Sequence, residues 1–214
     1  MHFNRDEMGY RNDWFDDVII CAHYLCIGFH YGQTRKYPDD GSVPYHTHPM
    51  TVAKMVRDYL KKEEWRDDRQ ETFSVNFPQE TIAAAYLHDV FEDVPEVTFE
   101  RLCRVLGSQG WRVALYVQEL TNVPQSFGNR KKRKAEMCER LRTASQAAKL
   151  IKTCDRIHNL TDGLVESDQD FAKVYLEESW KLHKAISENA SKVVTYALRD
   201  LERKIKEAEK KLGG

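Results

Sequence analysis

Apolar residues recur along most of the chain at intervals of three and four positions, the spacing that places them on one face of a helix. Alternating runs of β-branched residues bounded by turn signals are scarce, so strands are not expected. The pattern therefore predicts an all-α fold. The predicted helices cover about 13–31, 48–62, 78–90, 98–107, 109–120, 127–142, 143–162 and 168–210.

Proline, glycine and small polar residues mark several breaks between these helices. The longest irregular stretch near the polar motifs, 37–44, holds two prolines and a glycine. Pro78 stands near a predicted helix start, and Thr98 is a candidate N-cap. Because proline favours the first helical turn, the His48-Pro49 pair predicts that His48 projects from a helix N-terminus.

Bulk properties limit the class of protein. A length of 214 residues with 41% hydrophobic content predicts one domain over 1–214, since no stretch has the composition of a linker. A net charge of −1 provides no field for nucleic acid or an acidic membrane, so neither partner is expected. The apolar run 18–29 is too short to span a bilayer, and the N-terminus lacks a secretory pattern. Five scattered cysteines without a CxxC favour a reducing cytoplasm, while the oligomeric state stays open.

The segment AAAYLHDVFED (83–93) combines an apolar stripe with His88 and three carboxylates. On one continuous helix, Asp89, Glu92 and Asp93 would share a face. Three carboxylates crowded on a largely buried segment are costly unless a cation or hydrogen-bond donors compensate, and a divalent metal beside an imidazole would do so. The alternative is an exposed acidic helix end that follows a core histidine.

A second segment, IKTCDRIHN (151–159), places Asp155 on or beside a buried helix face with Asn159 one turn later. Lys152 and Arg156 are adjacent candidates for an ordinary ion pair with this aspartate. A third segment, 30–49, contains a pair of basic residues and a histidine before proline. The basic run 130–134 has the composition of a solvated helix face.

Together these segments resemble the hydrolase domain of the RelA/SpoT homologues, especially the single-domain small alarmone hydrolases. The resemblance runs from about residue 20 to 162. Its blocks are HYGQTRK with PYHTHP, then AAAYLHDVFED, a helix pair ending in LT, NRKKRKAEM, and AAKLIKTCDRIHNL. It implies an HD-type helical bundle with a single metal site in the core cleft.

The resemblance also implies roles for individual residues, with a nucleotide as the small-molecule substrate. The implied Mn²⁺ ligands are His48, His88, Asp89 and Asp155; the residues that manage the attacking water are Glu92 and Asp93; and those that contact the nucleotide are Arg35, Lys36 and Asn159. The mixed nitrogen and oxygen ligand set, without thiolates, suits Mn²⁺ better than a structural zinc site.

The implied activity is Mn²⁺-dependent hydrolysis of the 3′-pyrophosphate of (p)ppGpp or a related alarmone, giving GDP or GTP and pyrophosphate. A 3′-phosphatase acting on NADPH or another 3′-phosphorylated nucleotide is the nearest alternative, because the stretch 37–44 is longer here than in the family. A non-catalytic nucleotide-binding regulator and a purely structural helical protein are alternatives of other classes.

Overall fold

A computed structural model describes residues 17–36, 42–64, 75–162 and 168–213. In these ranges the only β pairing is an isolated bridge between Thr34 and Pro44, so the all-α prediction is confirmed. None of the described helices has the length and apolar character that a bilayer-spanning segment requires. The helices are α1 (Asp17–Phe29), α2 (Thr47–Glu64), α3 (Pro78–Tyr86), α4 (Val90–Asp93), α5 (Phe99–Leu106), α6 (Gly110–Leu120), α7 (Arg130–Thr143), α8 (Gln146–Thr161), α9 (Gln169–Ser187) and α10 (Lys192–Gly213), with 3₁₀ turns at Gly107–Gln109 and Gln125–Phe127.

Helix α8 lies at the centre of the bundle. Every residue from Ala147 to Ile157 is buried, because α2, α3, α6, α9 and α10 all pack against this helix. Polar residues in such a helix need partners, since an unpaired buried charge is costly. Lys149, for example, donates from Nζ to the backbone carbonyls of Arg142 at 3.0 Å and Glu188 at 2.7 Å. The ammonium thereby satisfies carbonyl groups at the C-terminal ends of α7 and α9.

Three parts of the bundle meet at one point: the first turn of α2, the junction between α3 and α4, and the C-terminal half of α8. Helices α2, α3 and α8 pack against one another pairwise. His48 lies in the first turn of α2, as the proline after it predicted. Thr98 caps α5 by accepting from the backbone N–H of Arg101 at 3.2 Å, and Pro78 opens α3.

The predicted continuous helix over 78–90 is wrong. Helix α3 ends at Tyr86, and α4 begins at Val90, so His88 and Asp89 lie in a turn between two helices. Asp89 is the N-cap of α4, and its backbone carbonyl accepts from the N–H groups of Glu92 and Asp93, each at 3.0 Å. The break lets two neighbouring side chains reach the same point, which consecutive positions on one helix do not.

The predicted single helix over 168–210 is also wrong. The chain breaks between Ser187 and Lys192, and α10 packs back against both α8 and α9. Asn189 adopts a left-handed conformation with φ of 57°, which asparagine tolerates better than most residues. Two earlier predictions fall partly outside the described residues: the helix start at 13–16 and positions 37–41 of the long irregular stretch.

Candidate metal centre

The side chains of His48, His88, Asp89 and Asp155 converge from three regions of the chain. His48 Nε2 lies 3.2 Å from Asp155 Oδ1 and 3.7 Å from Asp89 Oδ2. His88 Nε2 lies 3.0 Å from Asp89 Oδ2 and 3.9 Å from Asp155 Oδ1. Ligand atoms of His48, His88 and Asp89 all fall within 4.8 Å of one another, a grouping that a metal ion could bridge.

The tautomer of His88 tests whether a cation fits here. Its Nδ1 lies 2.9 Å from the backbone carbonyl of Ala85, which can only accept, so Nδ1 carries the proton. In the neutral ring Nε2 is then a bare acceptor, and it is buried without a hydrogen-bond partner among the described residues. A lone pair that faces the carboxylate of Asp89 is repulsive unless a cation lies between them.

The charges around His88 also indicate that the cluster needs a cation. Burial disfavours the imidazolium, but the carboxylates of Asp89 and Asp155 outweigh burial and raise the pKa of His88 to about 9. Burial likewise opposes the ionised form of Asp89, yet His88 and His48 hold its pKa below the usual range. The cluster therefore takes up positive charge, either as a proton on an imidazole or as a metal ion bound by neutral imidazoles.

Asp155 makes two further contacts on its own helix. Lys152 Nζ lies 3.0 Å from Oδ2, and Asn159 Nδ2 donates to Oδ1 at 2.6 Å. The ordinary ion pair considered from the sequence is thus present with Lys152, whereas Arg156 instead donates to Ser179 at 3.1 Å. Burial raises the pKa of Asp155, but Lys152 and His48 outweigh burial and hold it well below the usual range. The ion pair occupies Oδ2 and leaves Oδ1 facing both imidazoles.

Tyr45 is a contact of the cluster that the sequence did not single out. Its hydroxyl donates to Asp89 Oδ2 at 2.7 Å, so it fixes the rotamer of that carboxylate. Burial and the nearby Asp89 raise the pKa of Tyr45, which keeps the phenol protonated as a donor. Its position in PYHTHP, three residues before His48, was the available signal.

Glu92 and Asp93 lie at the solvent edge of the cluster. Glu92 accepts from the backbone N–H of Asn122 at 2.8 Å and from its Nδ2 at 2.7 Å, so its carboxylate is held in one orientation. Partial burial and the carboxylate of Asp89 raise the pKa of Asp93. A carboxylate with a raised pKa is a better proton acceptor than an ordinary aspartate.

The predicted nucleotide-contacting residues fall into two groups. Arg35 and Asn159 are brought together: Arg35 Nη2 donates to Asn159 Oδ1 at 3.1 Å and to Asp162 Oδ2 at 2.8 Å. Lys36 follows Arg35 at an exposed position. Asp162 was not predicted as a site residue, although it lies only three residues after the DRIHN block.

His158 is a further contact that sequence reasoning missed. Its Nδ1 lies 2.8 Å from Nδ1 of His48, and the two ring centroids are 4.9 Å apart. Burial, with His48 as the next cause, lowers the pKa of His158 to about 4, so this imidazole is neutral at physiological pH.

A cavity of about 570 Å³ between α7 and α9 reaches Lys152, the partner of Asp155. Eight lysines and arginines line it against three glutamates. Burial, with the charges of Lys152 and Arg156 as the next causes, lowers the pKa of Lys134 to about 8. The basic run 130–134 is therefore divided: Arg130, Lys131 and Lys134 line this cavity.

Comparison with known proteins gives both sequence relatives and structural neighbours, although no protein-family model matches the chain. The guanosine-3′,5′-bis(diphosphate) 3′-pyrophosphohydrolase MESH1 of Danio rerio is 31% identical over 130 residues, which are 61% of each chain. Its counterpart from Xenopus tropicalis is 30% identical over 145 residues, 68% of this chain and 69% of the relative. The bifunctional (p)ppGpp synthase/hydrolase SpoT of Escherichia coli K12 is 29% identical over 65% of this chain and 17% of its own length. The match thus spans about three fifths of the first of these relatives.

Two solved structures share the fold. A metazoan ortholog of SpoT, described as hydrolysing ppGpp, superposes with a TM-score of 0.66 at 24% identity, over 88% of this chain and 95% of its own. A protein from Listeria monocytogenes EGD-e superposes with a TM-score of 0.56 at 20% identity, over 78% of this chain and 96% of its own. At these identities the likeness concerns the helical fold alone.

Proposed function

The chain belongs to the MESH1-type family of guanosine-3′,5′-bis(diphosphate) 3′-pyrophosphohydrolases, and from this premise we propose that it is a metal-dependent phosphohydrolase. The proposed reaction is hydrolysis of the 3′-pyrophosphate of (p)ppGpp or a related alarmone. Water attacks the phosphorus bonded to the ribose 3′-oxygen, and the bond between that phosphorus and the 3′-oxygen breaks. The 3′-oxygen takes up a proton, and the products are GDP or GTP and pyrophosphate.

The observation that carries the proposal is the convergence of two imidazoles and two carboxylates around the bare Nε2 of His88. We infer that His48, His88, Asp89 and Asp155 would hold one Mn²⁺, because this mixed set without thiolates suits such an ion. A bound divalent ion would supply Lewis-acid polarisation of a phosphate oxygen and a lowered pKa for water. The fixed tautomer of His88 and the orientation of Asp89 by Tyr45 support a preorganised site.

Glu92 and Asp93 are proposed to orient the attacking water and accept its proton. The raised pKa of Asp93 suits the acceptor, and the two bonds from Asn122 to Glu92 suit the orienting group. Both carboxylates follow Asp89 within one helical turn, so they lie beside the proposed metal ligands without needing to bind the ion.

Arg35, Lys36 and Asn159 are proposed to contact the nucleotide. The charge of Arg35 is already paired with Asp162, and its guanidinium carbon lies 5.7 Å from the centroid of the Tyr45 ring. An arginine held flat by a carboxylate is suited to stacking on a base rather than to neutralising a phosphate. Asn159 bonds both Arg35 and Asp155, which would connect the base to the reacting group through one side chain.

The cationic cavity between α7 and α9 is proposed to take the anionic part of the substrate. Lys152 both lines the cavity and contacts Asp155, so the cavity begins next to the proposed metal site. Burial, together with repulsion from Lys152 and Arg156, lowers the pKa of Lys134 there. Phosphate groups would relieve that repulsion.

The test is a substrate panel of ppGpp, ppApp and NADPH with purified protein and Mn²⁺, with pyrophosphate and orthophosphate release measured separately. Pyrophosphate release from an alarmone, lost on chelation and restored by Mn²⁺, is the expected result. His88→Gln should abolish it, whereas His183→Gln, which changes a histidine on α9, should not. Orthophosphate release from NADPH alone would establish the 3′-phosphatase instead. Nucleotide binding without turnover would establish the regulator.

A further inference from the structure

The two histidines of the proposed metal site are held by different kinds of acceptor. His88 Nδ1 faces the backbone carbonyl of Ala85, which has no proton to give. His48 Nδ1 instead faces Nδ1 of His158 at 2.8 Å, and an imidazole nitrogen can either donate or accept. The proton position is therefore dictated at His88, whereas at His48 it depends on the partner ring.

Only one of the two proton arrangements leaves His48 able to bind a cation. If His48 carries its proton on Nδ1 and donates to His158, its Nε2 presents a lone pair toward Asp155 and Asp89. If His158 donates instead, the proton of the neutral His48 ring lies on Nε2. His48 then becomes a hydrogen-bond donor to the carboxylates and cannot coordinate a metal. The bond between the two rings thus determines whether His48 is a ligand.

The position of His158 suits an acceptor that stays in place. It lies three residues after Asp155 on α8, so the helix that supplies one carboxylate also supplies the group behind His48. His48 is buried and His158 is partly buried, and the rings contact each other at an interplanar angle of 49°. Rotation of either imidazole would break a short hydrogen bond inside the protein.

We propose that His158 is a positioning residue that accepts the Nδ1 proton of His48 and thereby keeps His48 Nε2 free to bind the divalent cation. This inference rests on the proposed metal-dependent function. It adds to the ligand set a histidine that would act on the ion only through His48. Groups of this kind fix the ring orientation and basicity of a metal-bound histidine, and their loss weakens metal binding by about 10–100-fold.

The test compares Mn²⁺ affinity in nucleotide-free protein, measured by the electron paramagnetic resonance signal of the free ion. His158→Phe keeps an aromatic ring but removes the acceptor, and should raise the Kd for Mn²⁺ by about 10–100-fold. His158→Asn places an amide oxygen near the position of Nδ1, and should restore most of the affinity. His183→Phe, a histidine on α9 away from the cluster, is the matched control and should bind Mn²⁺ as the unaltered protein does.

The unfolding free energy of each metal-free variant is measured in parallel, which separates a structural loss from a loss of metal affinity. If the Phe and Asn variants weaken Mn²⁺ binding equally, or neither weakens it, the positioning role is wrong while the metal-dependent function stands. If the unaltered protein binds no Mn²⁺, both proposals are overturned. Weak Mn²⁺ binding by His158→Phe, with most of the affinity recovered in His158→Asn, supports the role of His158.

Discussion

The guanidinium of Arg35 donates two hydrogen bonds to a single carboxylate oxygen of Asp162, from Nε at 3.0 Å and from Nη2 at 2.8 Å. The pair joins the segment before α2 to the end of α8, which are 127 residues apart in sequence. The side chain of Arg35 is 12% exposed and that of Asp162 is 33% exposed, so this contact is more shielded than a typical surface ion pair. Its geometry holds the guanidinium plane beside Asn159.

Replacing Asp162 tests whether the substrate base stacks on the guanidinium plane of Arg35 or whether the charge of Arg35 binds a phosphate. If the plane stacks on the base, Asp162→Asn loosens Arg35 and raises KM several-fold with little change in kcat. Arg35→Ala should raise KM similarly. The double variant should have the same KM as Arg35→Ala, because both changes disrupt the same Arg35–Asp162 pair. Steady-state kinetics on the alarmone measure this. A lower KM for Asp162→Asn would show that the freed charge binds phosphate.

The two carboxylates of the cluster should differ in their effect on stability. Asp155→Asn leaves the buried Lys152 without its charged partner, and a stranded buried charge costs about 3–5 kcal/mol. Asp89→Asn removes no lysine contact and keeps an acceptor for Tyr45, so its cost should be about 1 kcal/mol. Both variants should be inactive. Urea unfolding of the metal-free proteins distinguishes them, and equal losses of stability would contradict the role given to Lys152.

From the sequence we could name the four residues that converge in the cluster, but not most of the contacts around them. His48, His88, Asp89 and Asp155 were named together because their motifs resemble those of the RelA/SpoT hydrolase domain. The Arg35–Asp162 pair and the His48–His158 contact join residues more than a hundred positions apart. Contacts between residues so far apart in sequence depend on how the helices pack, and no local sequence pattern specifies them.

Local features of the sequence explain why the predicted helices over 78–90 and 168–210 were wrong. Residues 83–93 keep helical periodicity through the turn at His88, since Asp89 starts a new helical turn with the same spacing. The break at Glu188–Ser191 was hidden because strong helix formers flank it on both sides. Its one distinctive signal is the polar run SENAS, in which Asn189 has a positive φ.

Lys149 gives a test of that second break. Its buried Nζ bonds the carbonyls of Arg142 and Glu188, so Lys149→Met would leave two carbonyls at helix ends unsatisfied. The expected loss of unfolding free energy is about 2–6 kcal/mol, since each of the two stranded carbonyls costs about 1–3 kcal/mol. Lys184→Met, at an exposed position of α9, is the control and should change stability by less than about 0.5 kcal/mol. A small effect at Lys149 would contradict the placement of Glu188 between α9 and α10.

Lys134 links the cationic cavity to the pH dependence of substrate binding. Its pKa in the ligand-free protein is lowered to about 8 by burial and by the neighbouring Lys152 and Arg156. Below pH 8 the ammonium is charged and attracts an anionic substrate; above pH 8 it loses its proton and the attraction weakens. KM for the alarmone should therefore rise as the pH increases through about 8.

A matched pair of variants isolates this residue from the other groups that titrate. Lys134→Arg keeps its charge above pH 8, since an arginine pKa exceeds 12, so its KM should rise much less over the same interval. Lys134→Met lacks the charge at every pH, and its KM should be high already at neutral pH and should vary little with further increase. The ratio of KM at alkaline and neutral pH, measured for all three proteins, should be greatest for the unaltered chain. Equal ratios would mean that the substrate phosphates do not enter the cavity between α7 and α9.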